Sequence, residues 1–237
     1  MPGWRWPSLL VHRCGGALAP ENTLAGLRIA ARLGCRAVEF DVMLSRDKLP
    51  VLIHDETLAR TAGVAGAVPQ LDAEHLLATD VGRCFHPAFT GETIPSLSAA
   101  LKACAELGLA ANVEIKPAAG VEAETGSVVG ELLRAWRVAD SPEILLSSFS
   151  IEALAAAAAH VPELPRALLV ESHTPQNLAL ALQLGCVSLN VGCNGLEAKH
   201  VSDTLSAGLR VMAYTVNTCE AAAQLTDWGV CGLFTDR

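Results

Sequence analysis

Short apolar runs alternate along this chain with longer stretches in which apolar residues recur every three or four positions. The short runs are rich in Val, Ile and Leu and read as strands buried on both faces; the longer stretches read as amphipathic helices. Strands are predicted at Leu9–Arg13, Ala37–Met43, Ala111–Lys116, Ile144–Ser148, Ala167–Val170, Val187–Val191, Arg210–Thr215 and Gly232–Thr235. Helices are predicted at Asn22–Leu33, Leu97–Leu107, Ile151–Ala159, Gln176–Leu184, Ala198–Ala207 and Glu220–Trp228. Glycine follows several of them (Gly34, Gly108, Gly185), where a left-handed cap is easiest without a side chain. Repeated β-α units predict a parallel sheet, and eight strands predict an α/β fold closed as one (β/α)8 barrel, with an open doubly wound sheet as the alternative.

Two places break the alternation. Leu44–Ser96 is a long excursion after the second strand, with a short strand-like run at Pro50–His54. Extra chain after a barrel strand sits at the C-terminal face, where active sites are built. At the other end the chain stops two residues after the eighth strand, so the last helix is short or missing. Trp4 and Trp6 are expected to cover the apolar surface it leaves. With no internal repeat or linker, residues 1–237 read as a single domain with 44–96 inserted in the barrel.

Composition narrows the function. A chain of 237 residues that is 51% hydrophobic can bury a sizeable core. Its formal net charge of −8 and lack of a Lys/Arg cluster argue against a nucleic-acid partner. No apolar stretch reaches the ~18 residues of a membrane span, and the opening segment is too short and too aromatic for a signal peptide. Eight scattered cysteines without a C-x-x-C pair fit small buried hydrophobes in a reducing cytoplasm.

The candidate chemistry lies in two copies of one spacing: Glu39 and Asp41 in V-E-F-D-V, and Glu114 and Lys116 in N-V-E-I-K. Residues two apart on a strand share a face, so each pair projects ionisable groups from one side of an apolar strand. Two like charges ~4 Å apart repel by ~4 kcal/mol at an effective dielectric of about 20, so positive charge must sit among the carboxylates. Hard oxygen ligands suit Mg²⁺ or Ca²⁺; the alternative is a buried ion-pair network of Glu114 with Lys116 or Arg13. His12 and His54, both at strand ends, form a candidate acid–base pair. Arg13 and Lys116 add fixed positive charge, for which phosphate is the natural ligand. His75, His86, His160, His173 and His200 need only structural or exposed roles.

These residues fall within an ordered series of motifs. His12-Arg13-Cys14-Gly15 is followed by Pro20-Glu21-Asn22-Thr23, Glu39-Phe40-Asp41, Pro50 to Asp55 and Arg60-Thr61. Ile94-Pro95-Ser96-Leu97, Glu114-Ile115-Lys116, Ser148-Phe149, Thr215-Val216-Asn217 and Thr235-Asp236 complete it. The sequence resembles the glycerophosphodiester phosphodiesterases, a family on the phospholipase C-like TIM barrel. The resemblance implies that Glu39, Asp41 and Glu114 bind a divalent metal, that His12 and His54 are general acid and base, and that Arg13 and Lys116 hold phosphate. It further implies hydrolysis of a small-molecule glycerophosphodiester to sn-glycerol 3-phosphate and an alcohol. Three positions depart from the family pattern. Cys14 and Lys48 stand where glycine is usual, and Tyr214 where Trp often precedes T-V-N. Tyr214 and Phe149 are candidate pocket walls, and Glu171 a candidate second-layer or head-group carboxylate; Asn190 is placed like Glu171, with an exposed loop position as the alternative for both. The competing readings are a lipid-cleaving enzyme of the same scaffold, a silent phosphodiester-binding barrel, and an aldolase-type barrel with Lys116 in a Schiff base.

Overall fold

A computed structural model describes residues 6–136 and 141–237 of the chain. The strands are β1 (Leu9–Val11), β2 (Ala37–Leu44), β3 (Pro50–Leu52), β4 (Ala110–Ile115), β5 (Ile144–Ser148), β6 (Arg166–Val170), β7 (Ser188–Gly192), β8 (Arg210–Tyr214) and β9 (Gly232–Thr235). All but β3 are parallel, in the order β1-β9-β8-β7-β6-β5-β4-β2, and pairing of Val11 with Val38 closes β1 onto β2. The result is the closed eight-stranded parallel barrel that the alternation predicts. The run Pro50–His54 contributes the ninth strand, β3, which hooks antiparallel onto β2.

Helix α1 (Leu24–Arg32) follows β1. The excursion carries the short helices α2 (Ala59–Ala62), α3 (Ala73–Leu77) and α4 (Gly82–Phe85). Then α5 (Leu97–Leu107), α6 (Glu122–Trp136), α7 (Ile151–His160), α8 (Pro175–Gln183), α9 (Ala198–Ser206) and α10 (Cys219–Asp227) alternate with the remaining strands. Thr23, Ser96, Ser150, Thr174 and Thr218 cap five of these helices, each hydroxyl accepting a backbone N–H three residues on.

Helix α6 escapes the periodicity reading because Gly126 and Gly130 interrupt its apolar face. Those glycines serve packing instead. A Cβ on Gly126 would lie 2.1 Å from the Ala153 carbonyl oxygen, and one on Gly130 3.0 Å from that of Ala157, so α6 lies directly on the alanine-rich face of α7.

Three apolar clusters hold the molecule. The largest packs the outer faces of the strands against the helices, through residues such as Phe40, Val113, Leu146 and Val211. A second, including Leu10, Leu145, Met212 and Phe234, plugs the floor of the barrel. A third, around Met43, Val51, Leu58 and Leu76, gives the excursion its own core against β2 and β3. Trp6 packs on the floor cluster rather than over the surface of a missing last helix, which corrects the expectation for it; Trp4 lies outside the described residues. Among the described residues β9 is the last element, and the exposed side chains of Leu9, Leu18 and Leu33 line a shallow groove on that flank. Among the described residues no helix is long and apolar enough to cross a membrane.

Candidate active site

Strand register builds the acidic cluster. Asp41 on β2 is paired with Glu114 on β4, and Glu39 with Asn112. All four share a face of adjacent strands ~4.8 Å apart, so they meet inside the barrel above its apolar floor. Glu39, Asp41 and Glu114 are buried, and each offers a carboxylate oxygen within 4.8 Å of the others.

Strand β1 ends at Val11, earlier than predicted, because Arg13 and Cys14 take left-handed backbone conformations (φ 50° and 72°). That turn aims the Arg13 N–H at Glu39 Oε2, 2.9 Å away. Asn22 clamps Asp41, donating from Nδ2 to Oδ2 at 2.9 Å and accepting the Asp41 N–H at 3.1 Å. Lys116 Nζ lies 3.6 Å from Asp41 Oδ1, and Arg13 Nε 3.9 Å from Oδ2. Around this cluster Glu39 Oε1, Arg13 Nε and Asn112 Oδ1 are buried without a hydrogen-bond partner.

Burial, then repulsion from Asp41, pushes the Glu114 carboxyl up to about 8. The same causes, with Glu114 added, raise Glu39 well above the usual carboxylate range. Three converging hard oxygens, one of them without a partner, fit a divalent cation.

Each candidate histidine is held by a carboxylate. His12 Nδ1 lies 2.7 Å from Asp236 Oδ1, and His54 Nδ1 lies 2.6 Å from Asp55 Oδ1. A carboxylate only accepts, so both rings carry a proton on Nδ1 and turn Nε2 inward. His12 Nε2 stands 3.9 Å from Glu39, whereas His54 Nε2 accepts from the Lys116 ammonium at 2.6 Å. Burial holds the His54 imidazole below its ordinary pKa, with Asp41 and Asp55 opposing and Arg13 and Lys116 reinforcing the shift.

These groups line one side of a cavity of about 400 Å³; Phe149, Glu171 and Tyr214 line the other. Phe149 is 44% exposed, so its ring serves the cavity rather than the core. Tyr214 meets it edge to face, with ring centroids 5.9 Å apart. Asn190 is not in an exposed loop: it is buried inside β7, accepting from Ser188 Oγ at 3.0 Å. Cys14 is fully buried against α1 and does not narrow the cavity. Lys48 takes a left-handed backbone conformation (φ 67°), one that glycine adopts most easily.

Residues 12–237 match the model of the glycerophosphoryl diester phosphodiesterase family. The chain belongs to that family. This phosphodiesterase is 30% identical to YhdW of Bacillus subtilis (strain 168), over 96% of its own length and 93% of the relative's. It is 29% identical to a glycerophosphodiester phosphodiesterase of Caldanaerobacter subterraneus, again over 96% and 93% of the two chains. Its structure superposes with a TM-score of 0.93, at 34% identity and over 97% and 93% of the chains, on an Oleispira antarctica phosphodiesterase in complex with the product sn-glycerol-3-phosphate. A glycerophosphodiester phosphodiesterase from Agrobacterium tumefaciens shares the fold, with a TM-score of 0.80 at 24% identity.

Asp55, Glu21, Arg60 and Asp236 lie within the sequence motifs but have no role that the motifs alone reveal. In the phosphodiesterase they link the site together. Arg60, from α2, donates to Asp55 at 2.6 Å and to both oxygens of Glu21 at 2.6 and 2.8 Å. Glu21 in turn holds Arg13. One arginine of the excursion thus braces the partners of both His54 and Arg13. Arg60→Met is expected to lower kcat on a glycerophosphodiester by about tenfold while the far-ultraviolet circular dichroism is unchanged. Unaltered kinetics would show that the brace is dispensable.

Proposed function

We propose that the protein hydrolyses glycerophosphodiesters to sn-glycerol 3-phosphate and an alcohol, using a divalent cation and two histidines. The observation that carries this reading is the pair of aspartate-held imidazoles facing one cavity floored by three buried carboxylates. Glu39, Asp41 and Glu114 would hold Mg²⁺ or Ca²⁺, which when bound supplies charge neutralisation to the reacting phosphate. Arg13 and Lys116 hold the phosphate oxygens. A phosphate also offers the Lys116 ammonium a charged acceptor, which draws it from His54 Nε2 and leaves that nitrogen able to exchange a proton. One imidazole then takes a proton from the attacking water as the water oxygen bonds to phosphorus. The other, entering the reaction as the imidazolium with a second proton on Nε2, gives that proton to the alcohol oxygen as the old P–O bond breaks.

The test is release of sn-glycerol 3-phosphate from glycerophosphocholine and glycerophosphoethanolamine with Mg²⁺, with Ca²⁺ and with EDTA. Release that depends on the cation is expected, and the ratio identifies the preferred ion. No release from folded protein with any metal would overturn the reading in favour of a silent phosphodiester-binding barrel. Release undiminished by EDTA would remove the cation from it.

A further inference from the structure

The barrel mouth has two unlike halves. Strands β1, β2, β3 and β4 and the residues that follow them carry the carboxylates, histidines and cations just described. The ends of β5, β6 and β8 carry Phe149, Glu171 and Tyr214. What joins these three is a gap in β7. Gly192, at its end, is paired with Tyr214, and a Cβ there would lie 2.6 Å from the Glu171 carbonyl oxygen. The absence of a side chain at 192 lets the Glu171 backbone lie close against β7, and the Tyr214 hydroxyl donates to the Val170 carbonyl at 2.8 Å. The phenol is thereby fixed beside the residue after Val170, which is Glu171. The proximity shows in the titration of Tyr214, which burial and then the Glu171 charge raise. Phe149 closes the corner from β5 with its exposed ring.

Resting on the reaction proposed above, we infer that this corner is a subsite for a cationic head group, so that the preferred substrates are diesters of amino alcohols such as choline or ethanolamine. The chemistry of the two halves matches a zwitterion. Phosphate meets Arg13 and Lys116 at one end, and an ammonium meets two aromatic rings and a carboxylate at the other. Aromatic rings attract a desolvated ammonium through their faces, and a carboxylate beside them adds a charge that a neutral polyol does not answer. The fixed phenol hydroxyl makes the corner rigid before any ligand arrives, which lowers the ordering cost of binding.

The test compares kcat/KM at low ionic strength for glycerophosphocholine, glycerophosphoethanolamine and glycerophosphoglycerol, whose head is neutral and of similar size. The cationic heads are expected to be favoured by about tenfold, mostly through KM. Glu171→Gln should bring the ratio close to unity, and Glu171→Lys should reverse it. Equal kcat/KM for choline and glycerol heads, or a preference that survives Glu171→Gln, would overturn the subsite. If folded protein turned over none of the diesters, the reaction would fall first. Calorimetry would then decide the subsite alone: tighter binding of glycerophosphocholine than of glycerophosphoglycerol, lost in Glu171→Gln, would support it, and equal affinity would sink it.

Discussion

His12→Ala is expected to lower kcat on glycerophosphocholine by about a hundredfold or more, with the melting temperature close to that of the parent protein. His12 follows β1 and is only partly buried, so truncating it leaves no large cavity. What is lost is one proton carrier. The Asp236 carboxylate would remain in place, because Asn217 holds it independently: Nδ2 donates to Asp236 Oδ2 at 2.8 Å, and Oδ1 accepts the Asp236 N–H at 2.9 Å. His54→Ala should fall to a similar extent, and the double variant should lose much less than the sum, since each half-step needs the other. Steady-state kinetics on the three proteins read this directly. Near-normal rates for both single variants would remove the histidines from the reaction.

Removal of the divalent cation should have an effect of comparable size, and it reaches beyond turnover. In the metal-free protein Glu39 and Glu114 bind their protons more tightly when folded than when unfolded, because burial and mutual repulsion disfavour the charged forms. The sign follows: their contribution to stability is complete below the ordinary carboxylate range and is lost as pH rises towards about 8, the value to which Glu114 is pushed. The melting temperature in EDTA should therefore fall between about pH 5 and pH 8. Added Mg²⁺ or Ca²⁺ should restore it, most strongly at the alkaline end, where the ligands are already charged. Glu114→Gln should flatten the pH dependence and weaken the cation by at least about tenfold. A melting temperature indifferent to pH and to added cation would show that the three carboxylates form a closed ion-pair network with Arg13 and Lys116.

Much of the acidic cluster was legible in the sequence because a strand has period two. Once V-E-F-D-V and N-V-E-I-K are strands, Glu39, Asp41 and Glu114 have to share the inward face, and only the register between β2 and β4 remains to be supplied. The parallel barrel was legible for a similar reason, since strands buried on both faces leave continuous apolar runs. The supports of the site were not. His54 and Asp55 are neighbours, but His12 and Asp236 are 224 residues apart, and nothing local in Thr235-Asp236 points to an imidazole. Arg60 carries no local sign of its partners, and only the fold of the excursion brings Glu21 and Asp55 to it. The end of β1 was misjudged because the left-handed turn at Arg13 and Cys14 uses residues that seldom adopt it, in order to satisfy a buried carboxylate. Helix α6 was missed because its two glycines weaken the local helical signal in favour of a close contact with α7.

The bond between His12 and Asp236 also bears on how the molecule comes into being. During synthesis the histidine leaves the ribosome 224 residues ahead of its aspartate. Strand β1 likewise waits for β9, its neighbour in the ring, and Leu233 donates its N–H back to the Ser8 carbonyl. Carboxylates, cations and the second imidazole all come from the first half of the chain, yet His12 cannot be set until β9 and Asp236 have followed. A chain cut short of Asp236 is thus expected to be held back from hydrolysing phosphodiesters, so that turnover would report the closing of β1 onto β9.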